Sequence, residues 1–150
     1  MIMTEKPDPA RLAETSRIAV RPMQADDYSR VELLWGRAGI PVRTGADDLA
    51  AIALFLGQNP DLSTVAECEE RCVGALLCGE DGRAGFIHRV AVDPECDRVE
   101  VVSTMLRRCL LKLRALRLTR CYLLEEDVGR SVEIGRLAAN GLGGAGQKLT

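Results

Sequence analysis

Apolar residues recur along this chain at two spacings, and the switch between them marks out the elements. Ile18-Ala19-Val20-Arg21-Pro22 predicts a short strand stopped by proline. Gln24-Ala25-Asp26-Asp27-Tyr28 then places acidic groups in the first turn of a helix, where they complement its dipole. That helix carries Val31, Leu33, Leu34 and Trp35 and ends near Gly39. A second helix, capped by Thr44 or Asp47, runs through Leu49, Ile52, Leu54 and Leu56 to Gly57, and Asn59-Pro60 stops it. Residues 62–67 alternate as a half-buried strand, and the run from Cys72 to Gly79 predicts a strand covered on both faces. Asp81-Gly82 between two strand-like runs is a hairpin signal, which makes residues 85–92 the third strand of a meander.

Val101, Met105, Leu106, Cys109, Leu110, Leu113 and Leu116 form a stripe of helical period. Residues 118–124 predict a last strand, parallel to the 85–92 strand because a helical crossover joins them. A final helix follows in this reading. The segment from Asn140 to Gln147 is too glycine-rich for a packed strand, so no further strand is expected after residues 118–124 and that last strand is expected to keep an open edge. Such an edge invites a homodimer that completes the sheet.

The 150 residues fit one domain with a real core, and 47% apolar content with mixed charge is that of a globular chain. Residues 1–16 are polar and proline-bearing and are expected to form a mobile arm; the glycine-rich 139–150 segment is expected to be a flexible tail. No apolar stretch is long enough for a signal peptide or a membrane span, so no membrane partner and a cytoplasmic location are expected. A net charge of −2 gives no footprint for nucleic acid. The basic run from Arg107 to Arg120 has an apolar opposite face and is expected to be solvated. Six cysteines in a reducing compartment do not predict disulfides, and Cys68 and Cys72 lack a second ligand pair, so no metal site is expected.

The segment Val90-Ala91-Val92-Asp93-Pro94 followed by Glu95-Cys96-Asp97-Arg98-Val99-Glu100-Val101-Val102-Ser103 and the Met105-Leu106 pair resembles the acetyl-CoA-binding motif of the GNAT acetyltransferase superfamily. The Ile18-to-Pro22 opening, Asp26-Asp27, Asn59-Pro60 and Val73-Gly74 are similar to that family as well. The resemblance covers residues 17–138. It implies an α/β fold: a mixed, mostly antiparallel sheet with a central β-α-β crossover and flanking helices.

It further implies transfer of acetyl from acetyl-CoA to an amine of a small molecule or a protein. The backbone of Val90, Ala91 and Val92 would hold the thioester and pantetheine, and Asp97, Arg98, Val99, Glu100, Val101, Val102 and Ser103 the pyrophosphate loop. The chain departs from the family within that loop. Asp97 stands where the family has Arg or Gln, Glu100 where it has its first glycine and Val102 where it has the second. Glycines let a backbone approach phosphate closely, and a carboxylate about 5 Å from one repels it by on the order of 3 kcal/mol as an upper bound. A rival reading is therefore a GNAT-like domain that has lost acetyl-CoA and acts as an inactive protein- or metabolite-binding module. The catalytic base, on this resemblance, is expected at Glu67 or at His88, the latter placed two residues before Val90 and hence on its face of the strand.

Overall fold

The computed structural model describes residues 17–125 and 130–136. The predicted arm, residues 1–16, and the predicted tail, residues 139–150, lie outside them. The elements are β1 (Ala19–Pro22), a single 3-10 turn (Ala25–Asp27), α1 (Tyr28–Arg37), α2 (Leu49–Gln58), β2 (Thr64–Cys68), β3 (Arg71–Glu80), β4 (Gly85–Val92), α3 (Arg98–Ala115), β5 (Arg120–Glu125) and β6 (Arg130–Arg136). The six strands form one sheet in sequence order, antiparallel throughout except for the parallel pair β4–β5. This is the expected mixed sheet with its single crossover through α3.

The sheet has helices on both sides, so its central strands are buried on both faces. Leu76, Cys78, Ile87 and Cys121 pack with Val101, Met105, Cys109 and Leu113 of α3. On the opposite face Cys72, Ala75, Leu77 and Ala91 pack with Val31, Leu34 and Trp35 of α1 and Ile52 of α2. Gly74 sets the distance of α3 from the sheet: a Cβ there would lie 2.6 Å from Val101 Cγ1 and 3.1 Å from Met105 Cε. Cys68 packs toward the α3 side and Cys72 toward the α1 side, so the sheet separates the two thiols.

Turn chemistry follows the sequence where side chains make it. Asp81 Oδ1 accepts from the amides of Arg83 and Ala84 at 2.8 and 3.0 Å, and Gly82 takes φ +86° between them. Asn59 ends α2, its side chain donating to the Phe55 carbonyl. The cap of α2 is Asp48, which accepts from Ala51 N, rather than Thr44 or Asp47. Asp47 is instead buried, and its Oδ2 accepts from Arg43 N at 2.8 Å.

The C-terminal expectation is corrected. The segment read as a final helix forms β6, whose residues pair antiparallel with β5 from Arg120↔Arg136 to Glu125↔Arg130. A hairpin therefore closes this end, the outer edge of β5 is covered by β6, and the argument for a dimer through that edge falls. The stretch Ser131-Val132-Glu133-Ile134 alternates polar and β-branched residues, a strand period that the expectation of a final helix passed over.

Candidate active site

The site begins with a defect in β4. Ala75 pairs with Ala91 and Leu77 with His88, so two residues of β4, Arg89 and Val90, face the single Leu76 of β3. Arg89 takes φ +55°, a left-handed conformation unusual for a residue with a side chain. Its side chain is what holds it there. The guanidinium is only 4% exposed, lies 3.0 Å from Asp47 Oδ2, donates to the Pro41 carbonyl at 2.6 Å and sits 4.5 Å from the centroid of the Trp35 ring. The ion pair and the cation–π contact thus secure a backbone geometry that costs about 1–2 kcal/mol on its own.

The bulge opens the sheet. β4 and β5 pair only over Gly85–Ile87 against Cys121–Leu123, and beyond Ile87 the edge of β4 has no partner on β5. The opening is a cleft of about 330 Å³ between the two strands and the first turns of α3. Val90, Leu123, Val102 and Leu106 give it apolar walls, and Arg98 and Ser103 lie on its lining. A second cavity of about 400 Å³ adjoins it at Val90 and Arg98, and is lined further by Arg37, Ile40, Val92 and Asp93.

The loop between β4 and α3 is shaped by two aspartates. Asp93 is buried, its Oδ1 accepting from Glu95 N and its Oδ2 lying 3.1 Å from Arg71 and 3.4 Å from Arg37. Asp97 caps α3: its Oδ1 accepts from Glu100 N at 3.2 Å. That amide is one of the exposed donors with which a helix N-terminus meets an anion. Here a side-chain carboxylate already meets it.

The expected cofactor residues divide. Val90, Arg98, Val99, Val102 and Ser103 line one cleft, and Val92 lines the cavity beside it. Ala91 and Val101 are fully buried on opposite sides of the sheet, which leaves only their backbone for a ligand. Asp97 serves as the cap, and Glu100 sits half-buried in the first turn with its carbonyl accepting from Thr104 Oγ1.

The two expected bases also part. Glu67 is bound by Arg21 and Arg30 at 3.1 and 3.2 Å. Hydrogen bonds from Arg21, against the opposing effect of burial, hold its carboxyl below the ordinary range. It pairs with Ala19 and Cys72, on the β1 side of the sheet, and lines neither cavity. His88 stands next to the last paired residue of β4, at the apex of the fork, with its ring edge-on to Phe55 at 5.5 Å. It does not share the face of Val90. The extra residue in the bulge reverses the alternation, so His88 faces α2 while Val90 faces α3. On the α2 face near the fork, Phe86 and Tyr122 stack with centroids 5.7 Å apart.

Arg89, Arg37 and Leu123 were not singled out from the sequence. An arginine in a strand and an arginine in the last turn of a helix carry no local signal of what they reach across the fold. Among the described residues, no group of three or more His, Cys, Asp or Glu could hold a metal ion, and no helix is long and apolar enough to cross a membrane.

Comparison with known proteins agrees with this geometry. Residues 28–133 match the model of the acetyltransferase (GNAT) family. An acetyltransferase of Photorhabdus laumondii is 31% identical over 96 residues, covering 64% of this chain and 66% of that protein. Among solved structures, Ard1 from Thermoplasma volcanium superposes with a TM-score of 0.62 at 18% identity, covering 71% of this chain and 70% of the other. A GNAT family acetyltransferase from Brucella melitensis in complex with acetyl-CoA superposes with a TM-score of 0.56 at 20% identity, over 71% of this chain and 75% of its own. With the strand fork, the crossover helix and a family match over more than half its length, this chain belongs to the GNAT acetyltransferase family.

Proposed function

We propose that the chain transfers an acetyl group from acetyl-CoA to an amine of a small molecule or a protein. One observation carries this reading: β4 and β5 part after Ile87 and leave an apolar cleft that opens onto the N-terminus of α3. An unpaired strand edge can hydrogen-bond the amide-rich arm of the cofactor, and the walls of Val90, Val102, Leu106 and Leu123 suit its methylenes. The acetyl-CoA complex of the Brucella neighbour supports the same occupant.

Acetyl-CoA supplies an acyl group activated as a thioester. The chain contributes position and proton transfer. The β4 edge and the cleft walls fix the acyl end near the fork, so that the acceptor meets it in line rather than by collision. In this reading His88, next to the apex of the fork and facing α2, takes the proton from the attacking amine on the acceptor side, directly or through one water; its position beside the fork supports the assignment. Glu67 is assigned instead to the ion-pair cluster of Arg21, Asp27 and Arg30, which fastens β1 and α1 to β2.

The domain is assigned to residues 17–138, and a cytoplasmic location is supported by six free thiols. Incubation with acetyl-CoA and a panel of primary amines, followed by release of free thiol, tests the activity. His88→Ala should lower the rate with the best amine by about 100-fold without weakening cofactor binding. An unchanged rate would remove His88 from the mechanism.

A further inference from the structure

We propose that Arg37, together with Arg98, forms a side-chain clamp for the cofactor's diphosphate, taking over work for which the loop's own backbone is poorly disposed. This rests on the acetyl-CoA reading above and adds a residue from a different part of the chain.

The loop meets phosphate badly on three counts. Glu100 N is engaged by Asp97, the Glu100 side chain adds negative charge, and Val102 fills space beside the cleft. A diphosphate at this end must then find its positive charge elsewhere. The second cavity provides it. Its lining carries two guanidiniums, Arg37 and Arg98, against one carboxylate, Asp93. Asp93 is also bound by Arg71, whose contact at 3.1 Å is shorter than that of Arg37 at 3.4 Å. Its single charge is therefore shared, and the cavity keeps a positive surplus.

Placement favours the cofactor over the acceptor. Arg98 lines both cavities, so whatever occupies the cleft along Val90 continues past Arg98 toward Arg37. Arg37 ends α1 with a side chain 48% exposed, free enough to turn from Asp93 to an anion while Arg71 keeps Asp93 satisfied. A planar guanidinium with several donors suits paired phosphate oxygens.

The test compares acetyl-CoA with S-acetylpantetheine, which lacks the phosphates, by calorimetric titration of the full chain and of R37A, R37K and R98A. R37A and R98A should each weaken acetyl-CoA by about tenfold and leave S-acetylpantetheine within about twofold; R37K should fall between R37A and the parent. Thermal unfolding of each variant shows that the domain is intact, and R37K gives the reading if R37A does not fold. The proposal is overturned if R37A binds acetyl-CoA as the parent does, if it loses both compounds equally, or if it raises only the KM of the amine, which would give the clamp to an acidic acceptor. A parent chain that binds S-acetylpantetheine but not acetyl-CoA would overturn the clamp alone; one that binds neither would overturn the acetyl-CoA reading with it.

Discussion

Arg89 and Asp47 form an ion pair of 3.0 Å with both side chains less than a tenth exposed, and that pair joins the bulge of β4 to the connection between α1 and α2. The bulge opens the cleft, so the pair connects stability with function. Breaking a buried pair by removing one partner leaves an uncompensated charge and costs about 3–5 kcal/mol. Arg89→Ala should lose that much in urea unfolding. Asp47→Ala with Arg89→Ala should cost clearly less than the sum of the two single changes, since the second removes a charge already stranded. Additive losses would mean that the pair does not hold the bulge.

Gly74 offers a separate lever on the site, because it governs how close α3 comes to the sheet. Gly74→Ala sets a Cβ 2.6 Å from Val101 Cγ1, and overpacking of this kind costs about 1–3 kcal/mol. Since Val101 lies in the first turn of α3, beside Val102 of the cleft, cofactor affinity should fall along with the melting temperature. A variant of parental stability and affinity would show that the helix has room to move.

The acid limb of stability should be set by Asp27. Burial would raise its pKa, but hydrogen bonds from Arg21, from Gln24 N and from Arg30 outweigh that and hold the carboxyl well below its ordinary value of about 4. With the folded pKa below the unfolded one, the stabilisation is complete above about pH 4 and is lost as pH falls through the folded pKa. Asp27→Asn should lower stability at pH 7 and flatten its decline below pH 4, as read by unfolding at a series of pH values. An equally steep acid decline in the variant would assign the proton uptake elsewhere.

Most of the fold is written in short-range patterns, and the site is only partly so. Asp81-Gly82 specifies its hairpin because the turn is made by those two residues, and the stripe from Val101 to Leu113 specifies a helix because its period is local. The reversal at Arg89 is different. Nothing in Ile87-His88-Arg89-Val90 announces a left-handed residue, since the side chain that stabilises it finds Asp47 and Trp35 across some forty or more positions of chain. Strict alternation therefore put His88 on the wrong face. Arg37 was missed for the same reason, and β6 because its alternation is short, running only from Ser131 to Ile134.

The cap of α3 should set stability against cofactor affinity. Asp97→Ala removes the acceptor for Glu100 N, which typically costs about 1 kcal/mol at a helix N-cap, and frees that amide together with one negative charge. Thermal unfolding should shift down slightly while acetyl-CoA binds more tightly. Weaker binding would mean that the ordered cap itself forms part of the cofactor site.

The central claim is that the fork between β4 and β5 receives acetyl-CoA, and direct calorimetric titration of the purified chain tests it. Saturable one-to-one binding at about 10 μM or tighter, lost in Arg89→Ala refolded to the same secondary structure, is the predicted result. No heat at about 1 mM cofactor from a folded chain would contradict it and leave the fork as the scaffold of a binding module.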